Sequence, residues 1–248
     1  MICGTPQIFA DELVTTLSDA NSGIIYDGIW TYTTEWKKSS LEKIPKASED
    51  QFVIRIGHDY ENMFLFLDVI GDTSINRLGD RAIICFDTLL DKSNKPKIDD
   101  YCFQVSLDGK LTTLNGDSNN AISGFYKKVE NHPNVIAVGG VSNEFDRYSK
   151  VPHVSFEYQI PIDVIGRSSE YGFYVGVFDA QSNQMYSWPE NALEDNYPFI
   201  PSPDNWGVLL SPDKSIPEFS FSIIFYLMLP IIMGFAIFTK IKFFTLYK

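Results

Sequence analysis

The feature that most constrains this chain is a long charge-free segment near its C-terminus. Residues 219–239 are 21 consecutive residues without Asp, Glu, Lys or Arg. At about 1.5 Å per residue, a helix of this length spans roughly 31 Å, which matches the hydrocarbon core of a bilayer. We therefore predict a transmembrane helix over 219–239, rather than a buried core helix, which is usually shorter or keeps a polar face.

The charges on the two sides of this segment have opposite signs. All 32 acidic residues precede it, together with 17 of the 20 Lys and Arg residues, so residues 1–218 have a net charge of −15. Residues 240–248 contain three lysines and no acidic residue. Because basic residues mark the cytoplasmic side of a span, we predict an extracellular part, 1–218, and a basic cytoplasmic tail, 240–248, at the cell membrane or cell surface. The overall acidity argues against a nucleic-acid partner, which requires clustered Lys and Arg.

The junction before the span has three parts in a fixed order. A linker, 212–218, ends in Pro217-Glu218; Phe219, the apolar span and the short basic end follow. This order resembles the archaeal PEF-type C-terminal sorting signal. The resemblance implies that an archaeosortase, a membrane transpeptidase, removes the helix and transfers the protein to a surface anchor. A plain C-terminal membrane anchor is the alternative.

An extracellular domain needs an export signal, and the N-terminus shows only part of one. Residues 1–10 contain no basic n-region and no long apolar h-region. One hypothesis is that Ile8-Phe9-Ala10 ends a signal peptide whose apolar part lies upstream of the given start. The other is that these residues are a frayed terminus and the C-terminal helix directs insertion. In both cases residues 1–17 form an N-terminal segment outside the folded domain.

Residues 18–211 read as a succession of short apolar strands separated by turn residues. They are rich in Val, Ile, Phe and Tyr, and several alternate apolar and polar positions. The predicted strands are Gly23–Asp27, Gln51–His58, Met63–Ile70, Ala82–Thr88, Asp100–Leu107, Gly124–Glu130, Val135–Val141, Val154–Ile160, Gly172–Phe178, Gln184–Trp188 and Gly207–Leu210. One helical turn is predicted over 161–166, which has Pro at its start and Gly at its end. The pattern predicts an all-β domain, a two-sheet antiparallel β-sandwich of jelly-roll or immunoglobulin-like type.

Two of the three cysteines fall in neighbouring predicted strands. Cys85 and Cys102 both lie in apolar runs, and outside the membrane such a pair can form a disulfide. Two buried free thiols are the alternative, since the sequence does not give their separation.

The order of short motifs along the domain resembles a known superfamily. The motifs are Asp27-Gly28-Ile29-Trp30, Glu35-Trp36, the strand pair around Asp59, Ala82–Asp87, Asp100–Val105, Ile160-Pro161-Ile162, Gly172–Gly176, Trp188-Pro189 and Pro203–Gly207. This order resembles that of the carbohydrate-binding module family 9 and DOMON-like β-sandwiches, over nearly 190 residues. The resemblance implies a sandwich that binds sugars, haem or calcium, or has no small ligand, so fold alone does not assign the function.

Sugar binding is the first function that the residues suggest. Sugar sites stack apolar sugar faces on exposed aromatic rings and hold hydroxyl groups with polar side chains. The predicted ligand-binding residues are Tyr186, Trp188, Tyr60, Tyr101 and Asn183. Tyr186 and Trp188 follow a polar loop and are spaced to share one face of a strand.

Calcium and haem are the two cofactors considered. Asp87, Asp91, Asp99 and Asp100 bracket a loop and could supply the clustered oxygen ligands that calcium requires; a solvated acidic loop is the alternative. For haem, the superfamily resemblance suggests axial ligation by His58 with Met63 or Met185.

The sequence contains no hydrolase, zinc-protease or phosphate-loop motif. We therefore predict a non-catalytic protein that binds a glycan or a cell-envelope component. A haem-binding redox module and a structural envelope subunit without a small ligand are the alternatives.

Overall fold

Two β-sheets make up the described part of the computed structural model, which covers residues 11–46, 49–121, 125–190, 192 and 200–211. Residues 1–10 and 212–248 lie outside the described residues, and with them the linker, the predicted span, the basic tail and the predicted sorting residues Pro217, Glu218 and Phe219. Within the described residues, no helix has the length and the apolar character needed to cross a bilayer.

Thirteen strands, one short α-helix and two 3-10 helices, Asp19–Gly23 and Pro203–Asn205, lie within these residues. The strands are β1 (Glu12–Val14), β2 (Ser40–Lys46), β3 (Glu49–His58), β4 (Asn62–Val69), β5 (Arg81–Asp87), β6 (Asp100–Ser106), β7 (Leu111–Gly116), β8 (Tyr126–Val129), β9 (Ile136–Val141), β10 (Val154–Pro161), β11 (Glu170–Asp179), β12 (Gln184–Trp188) and β13 (Gly207–Leu210). Helix α1 (Ile162–Ile165) is a single turn between Pro161 and Gly166, where the sequence predicts it.

The strands form a first sheet of eight and a second sheet of five. The first sheet has the order β1, β13, β11, β5, β6, β7, β8, and β12 pairs with the second half of β11. The second sheet has the order β2, β3, β4, β10, β9. Every pairing is antiparallel except that of β1 with β13, which is parallel. The predicted all-β, two-sheet sandwich is therefore confirmed, with one parallel edge pair.

The main hydrophobic core lies between the two sheets, and β4 shows how it is built. Met63, Leu65 and Leu67 point into this core, whereas the alternate residues Phe64 and Phe66 point to the outer face of the second sheet. There, Trp30 and Trp36 of the preceding segment cover them. Both faces of β4 are thus buried, which explains its nearly continuous apolar sequence.

The strand prediction fails at four places. Strands β1, β2 and β7 are not predicted, and β1 extends the sheet into the segment placed outside the domain. The predicted strand Gly23–Asp27 is wrong: carboxylates, not a neighbouring strand, accept its amide hydrogens. Oε1 of Glu35 accepts from the Ile25 amide at 2.9 Å, and Oε2 of Glu157 accepts from the Asp27 amide at 2.8 Å.

Candidate functional site

Two of the predicted sugar-binding residues lie in the core. Tyr186 and Trp188 do share a face of β12, as their spacing predicts, but that face points between the sheets. Trp188 is 5% exposed, and its ring centroid lies 5.8 Å from that of Phe173. The prediction that Trp188 stacks on a sugar is therefore wrong, because its ring faces are covered by core side chains. Tyr186 is 8% exposed, so it offers little ring surface to a ligand.

The other predicted aromatic residues lie at one end of the sandwich and Asn183 lies at the other. Tyr60 is exposed in the β3–β4 turn, before β4 begins, whereas Asn183 is exposed in the β11–β12 turn. The carboxylate of Asp179, close to Asn183, contacts Ser74 beyond the end of β4. Since β4 has eight residues at about 3.3 Å each, the two turns are about 25 Å apart. The five predicted ligand-binding residues therefore do not form one site.

Tyr101 lines an open groove of about 610 Å³ at the end of the sandwich that carries α1. Its half-buried ring lies between β7 and the segment that follows β8. The apolar part of the wall comes from Val129, Pro133 and Val164. The polar part comes from Asn115, Glu130, Asn131, His132 and Asp163. We call this depression the Tyr101 groove; its size is within the range of small-ligand sites.

Hydrogen bonds fix the polar wall of the Tyr101 groove. The Asn131 side chain accepts from the Thr113 amide at 2.9 Å and donates to the Leu111 carbonyl at 3.2 Å. Nδ2 of Asn115 donates to the carbonyl oxygens of Ile98 at 2.6 Å and Asp100 at 3.1 Å. The groove is therefore held in shape by its own side chains and does not have to be ordered by a ligand.

Asn115 also connects the groove to the acidic loop, 87–100, where the sequence predicts calcium ligands. Asp87, Asp91 and Asp99 each place one oxygen within 4.8 Å of the others. Asp100 is paired with Asp87 across β5 and β6 and is wholly buried. The structure thus brings the four predicted metal ligands to one place.

The electrostatics of the acidic loop suit a hard cation. Burial, together with the charges of Asp87, Asp99 and Asp91, raises the pKa of Asp100 to about 7, although the Lys97 amide donates to its Oδ2. Oδ1 of Asp100 is buried and has no hydrogen-bond partner among the described residues. Lys97 pairs with Asp91 at the exposed side of the cluster. Clustered carboxylate oxygens are the ligands that Ca²⁺ prefers, so the residues present fit that ion.

The residues suggested as haem ligands do not fit haem. His58 and Met63 face each other across β3 and β4, but both are 0% exposed and Met63 belongs to the main core. Nε2 of His58 is 3.1 Å from Oγ of Ser211, and Sδ of Met63 is 3.9 Å from Oγ1 of Thr15. Met185 packs on the outer face of the first sheet. A macrocycle beside His58 and Met63 would have to displace core side chains.

Cys85 and Cys102 are joined by a disulfide bond across β5 and β6, with their Cα atoms 4.1 Å apart. The bond lies on the outer face of the first sheet, next to Tyr174 and Trp206. Two residues further along the same pair of strands are Asp87 and Asp100. The disulfide therefore closes the base of the acidic loop.

One buried network has the connectivity of a hydrolase triad and was not anticipated from the sequence. Oγ of Ser142 is 2.9 Å from Nδ1 of His153, and Nε2 of His153 is 2.5 Å from Oδ1 of Asp68. Ser142 is 4% exposed and the other two are wholly buried. Oγ of Ser142 also accepts the amide hydrogen of His153. With no exposed nucleophile, the network ties β4 to the turn between β9 and β10 and does not form a reaction site.

No protein-family model and no curated protein sequence matches the chain. Among solved structures, the chain is similar to a carbohydrate-binding module of family 9 from Caldicellulosiruptor kristjanssonii in complex with glucose. Identity is 10% and the TM-score is 0.49, over 81% of this chain and 95% of that chain. The similarity to a family 9 module from the same organism in complex with cellotriose has 12% identity and a TM-score of 0.49, over 81% and 93%. At this identity, the similarity assigns no ligand to this chain.

Proposed function

We propose that this protein is a non-catalytic glycan-binding module that binds a sugar in the Tyr101 groove. The observation that carries the proposal is the Tyr101 ring, which is half-buried against the main core and lines an open groove whose rim carries amide, imidazole and carboxylate groups. A sugar ring has apolar C–H faces that pack on an aromatic ring, and hydroxyl groups that need polar partners. The order of motifs along the sequence supports the same class of function.

The polar rim contains carboxylate groups and an imidazole that can form hydrogen bonds with the hydroxyl groups of a sugar. The exposed carboxylates of Glu130 and Asp163 accept hydrogen bonds from hydroxyl groups. The imidazole of His132 is half-buried, and its Nδ1 accepts from the Asn134 amide at 3.3 Å, which leaves Nε2 as the ring nitrogen for a ligand. Because these groups are exposed in the free protein, we expect micromolar to millimolar affinity rather than tight binding.

The test is binding of the purified full-length protein to a glycan array that includes glucose and cellotriose, followed by calorimetry on the best sugar. We expect Tyr101→Ala to weaken binding at least tenfold, or about 1.4 kcal/mol. Tyr60→Ala is the matched control, since Tyr60 is an exposed tyrosine outside the groove, and it should bind as wild type. No binding on the array, or equal binding by the Tyr101→Ala protein, would overturn the proposal.

We infer that the acidic loop binds Ca²⁺ through Asp87, Asp91 and Asp99, with Asp100 beneath them. The supporting observation is that these carboxylates converge while the buried Oδ1 of Asp100 stays unpaired. Calorimetric titration with Ca²⁺ tests this inference. The Asp91→Asn/Asp99→Asn protein should lose the loop ion, and an unchanged stoichiometry would contradict it.

We also propose that residues 219–239 hold residues 1–218 outside the cell membrane, with Pro217, Glu218 and Phe219 as the site that an archaeosortase reads. The charge-free span and the change from −15 to three lysines support this proposal. The mass of the mature protein from its own cells tests it. Loss of the segment after Glu218 supports sorting, retention supports a plain anchor, and an intact chain in the soluble fraction excludes both.

A further inference from the structure

Two aliphatic side chains of the acidic loop, 87–100, are exposed to solvent. Leu89 is 72% exposed and Ile98 is 71% exposed. The amide of Thr88 donates to the carbonyl oxygen of Asp99 at 3.3 Å, so the two arms of the loop stay paired one step beyond β5 and β6. Leu89 and Ile98 are the next residues on the two arms, and we call these two side chains the loop tip.

Hydrogen bonds fix the backbone that carries the loop tip. The carbonyl oxygen of Ile98 accepts from Nδ2 of Asn115 at 2.6 Å. On the other arm, the amides of Asp91 and Lys92 donate to the carboxylate of Asp87 at 3.3 Å and 2.8 Å. The loop tip is therefore exposed on a backbone that a partner does not have to order.

The charge of the acidic loop depends on the ion proposed to bind there. Residues 87–100 contain four Asp and three Lys, so their formal net charge is −1, and one Ca²⁺ ion changes it to +1. Ca²⁺ takes six to eight oxygen ligands, so the three carboxylates that converge leave positions open for phosphate oxygens. The loaded loop thus attracts an anionic lipid surface, whereas the empty loop is repelled by one.

The chain leaves the domain at the same end as the acidic loop. Strands β5 and β13 both run antiparallel to β11, so both end on the same side of the sheet. Gly172 of β11 is paired with Asp87 on one side and with Val208 on the other, which places these two strands about 10 Å apart. The seven residues 212–218 reach about 24 Å at most. A bilayer crossed by the predicted span is therefore within reach of the loop.

We propose that the loop tip docks on the anionic headgroups of a lipid bilayer, with Ca²⁺ joining the loop carboxylates to lipid phosphates. Leu89 and Ile98 then pass from water into the boundary between headgroups and acyl chains, where apolar side chains are favoured. Exposed apolar residues alone are ordinary on a protein surface. Here they share a fixed loop with a cation site, at the end where the chain leaves. The inference rests on the calcium site proposed above and assigns a lipid surface to it.

The test places an environment-sensitive fluorophore at position 89 of the full-length protein, through Leu89→Cys in a Cys3→Ser background. Cys85 and Cys102 are protected by their disulfide bond. The protein is reconstituted in lipid nanodiscs of phosphatidylcholine with about one third phosphatidylglycerol. Ca²⁺ should shift the emission to shorter wavelength and raise its intensity roughly twofold, as the probe enters the headgroup layer. Excess chelator, or nanodiscs of phosphatidylcholine alone, should abolish this response.

Leu78→Cys with the same fluorophore is the matched control. Leu78 is 81% exposed and precedes β5, so it lies at the opposite end of the sandwich from the acidic loop. Its emission should not respond to Ca²⁺. No response at position 89, an equal response at position 78, or an undiminished response in chelator would overturn the proposal. Protein that does not insert is mixed with the same lipid, so the outcome does not depend on the predicted span.

A second measurement separates docking from ion binding. Calorimetry without lipid gives the Kd of Ca²⁺ for wild type and for Leu89→Ser/Ile98→Ser, which keeps all the loop carboxylates, and the two values should agree. Anionic nanodiscs should lower the wild-type Kd severalfold and leave that of the double variant nearly unchanged, because lipid and ion favour each other's binding. Ca²⁺ binding without a lipid effect overturns docking and leaves the calcium site standing, whereas no Ca²⁺ binding by the loop overturns both.

Discussion

The indole Nε1 of Trp36 donates a hydrogen bond to Oε1 of Glu157 at 3.1 Å, on the outer face of the second sheet. Oε2 of the same carboxylate accepts from the amides of Asp27 at 2.8 Å and Gly28 at 2.7 Å. Gly28 has a φ of +88°, and a Cβ there would meet the backbone of Gly139. One buried glutamate therefore fixes the segment that covers Phe64 and Phe66.

Replacing Glu157 should detach this covering segment. In Glu157→Ala three donors lose their acceptor, so we expect a loss of about 3 kcal/mol in the free energy of unfolding. Chemical denaturation measures the loss, and a red shift of tryptophan fluorescence reports exposure of Trp30 and Trp36. Glu157→Gln keeps an acceptor oxygen and should lose less. Equal stability of the alanine variant and wild type would show that the segment is held by apolar packing alone.

Removing the disulfide should lower the free energy of unfolding by about 3 kcal/mol. The reason is that the bond closes a loop in the unfolded chain, between cysteines 17 residues apart, and so reduces the entropy of that chain. The comparison is Cys85→Ala/Cys102→Ala against wild type in a urea titration. Reductant should lower the wild-type midpoint and leave that of the double variant unchanged. If reductant left the urea midpoint of the wild-type protein unchanged, the two cysteines would be free thiols.

The acidic loop should make stability depend on pH. The folded-state pKa of Asp100 is about 7 against an ordinary value of 3.8. The folded protein therefore holds a proton that the unfolded chain has lost, and stability falls as pH rises from about 4 to about 7. In chelator, Asp100→Asn should remove this dependence, so the midpoint of its thermal unfolding, Tm, should exceed that of wild type by more at pH 8 than at pH 5. A Tm difference that is constant over this range would contradict the assignment.

Calcium in the acidic loop should strengthen sugar binding, because Asn115 donates to loop carbonyls and lines the Tyr101 groove. Chelator should raise the sugar Kd of wild type severalfold. The same chelator should have no effect on the Asp91→Asn/Asp99→Asn protein, whose loop ligands are already removed. The Asp108→Asn protein, changed at an exposed carboxylate in the β6–β7 turn, is the control and should behave as wild type. An equal Kd with and without Ca²⁺ would mean that the loop and the groove act separately.

The sequence predicts the strands that have a strong apolar pattern, and the missed strands β1, β2 and β7 have a weak one. Strand β4 is buried on both faces, so its apolar run is conspicuous. Strand β2 is an edge strand with exposed residues, Pro45 and an irregular register, and such edges carry little apolar signal. Strand β1 is recognisable only by its partner, since three residues have no periodicity of their own.

The sequence shows which candidate residues lie together where they flank one strand pair, but not where the direction of a sheet face decides their position. The four carboxylates of the acidic loop bracket one hairpin, so their meeting follows from the pairing of β5 with β6. The spacing of Tyr186 and Trp188 predicts that they share one face of a strand. It does not predict whether that face points to the core or to solvent, because this depends on where the opposite sheet lies. Asp72, Asp80 and Asp179, which each place one oxygen within 4.8 Å of the others, come from three separate strand ends, and their meeting requires the topology of the whole domain.

The parallel pairing of β1 with β13 determines how the domain responds to mechanical load. Glu12 lies beside Val208 and Val14 beside Leu210, so the chain enters this pair at one end and leaves it at the other. A force that pulls on residues 11 and 211 in opposite directions therefore runs along the strands. It loads the ladder hydrogen bonds together, in shear, whereas an antiparallel terminal pair would be opened one bond at a time. The first and last strands of the domain thus act as a clamp against stretching.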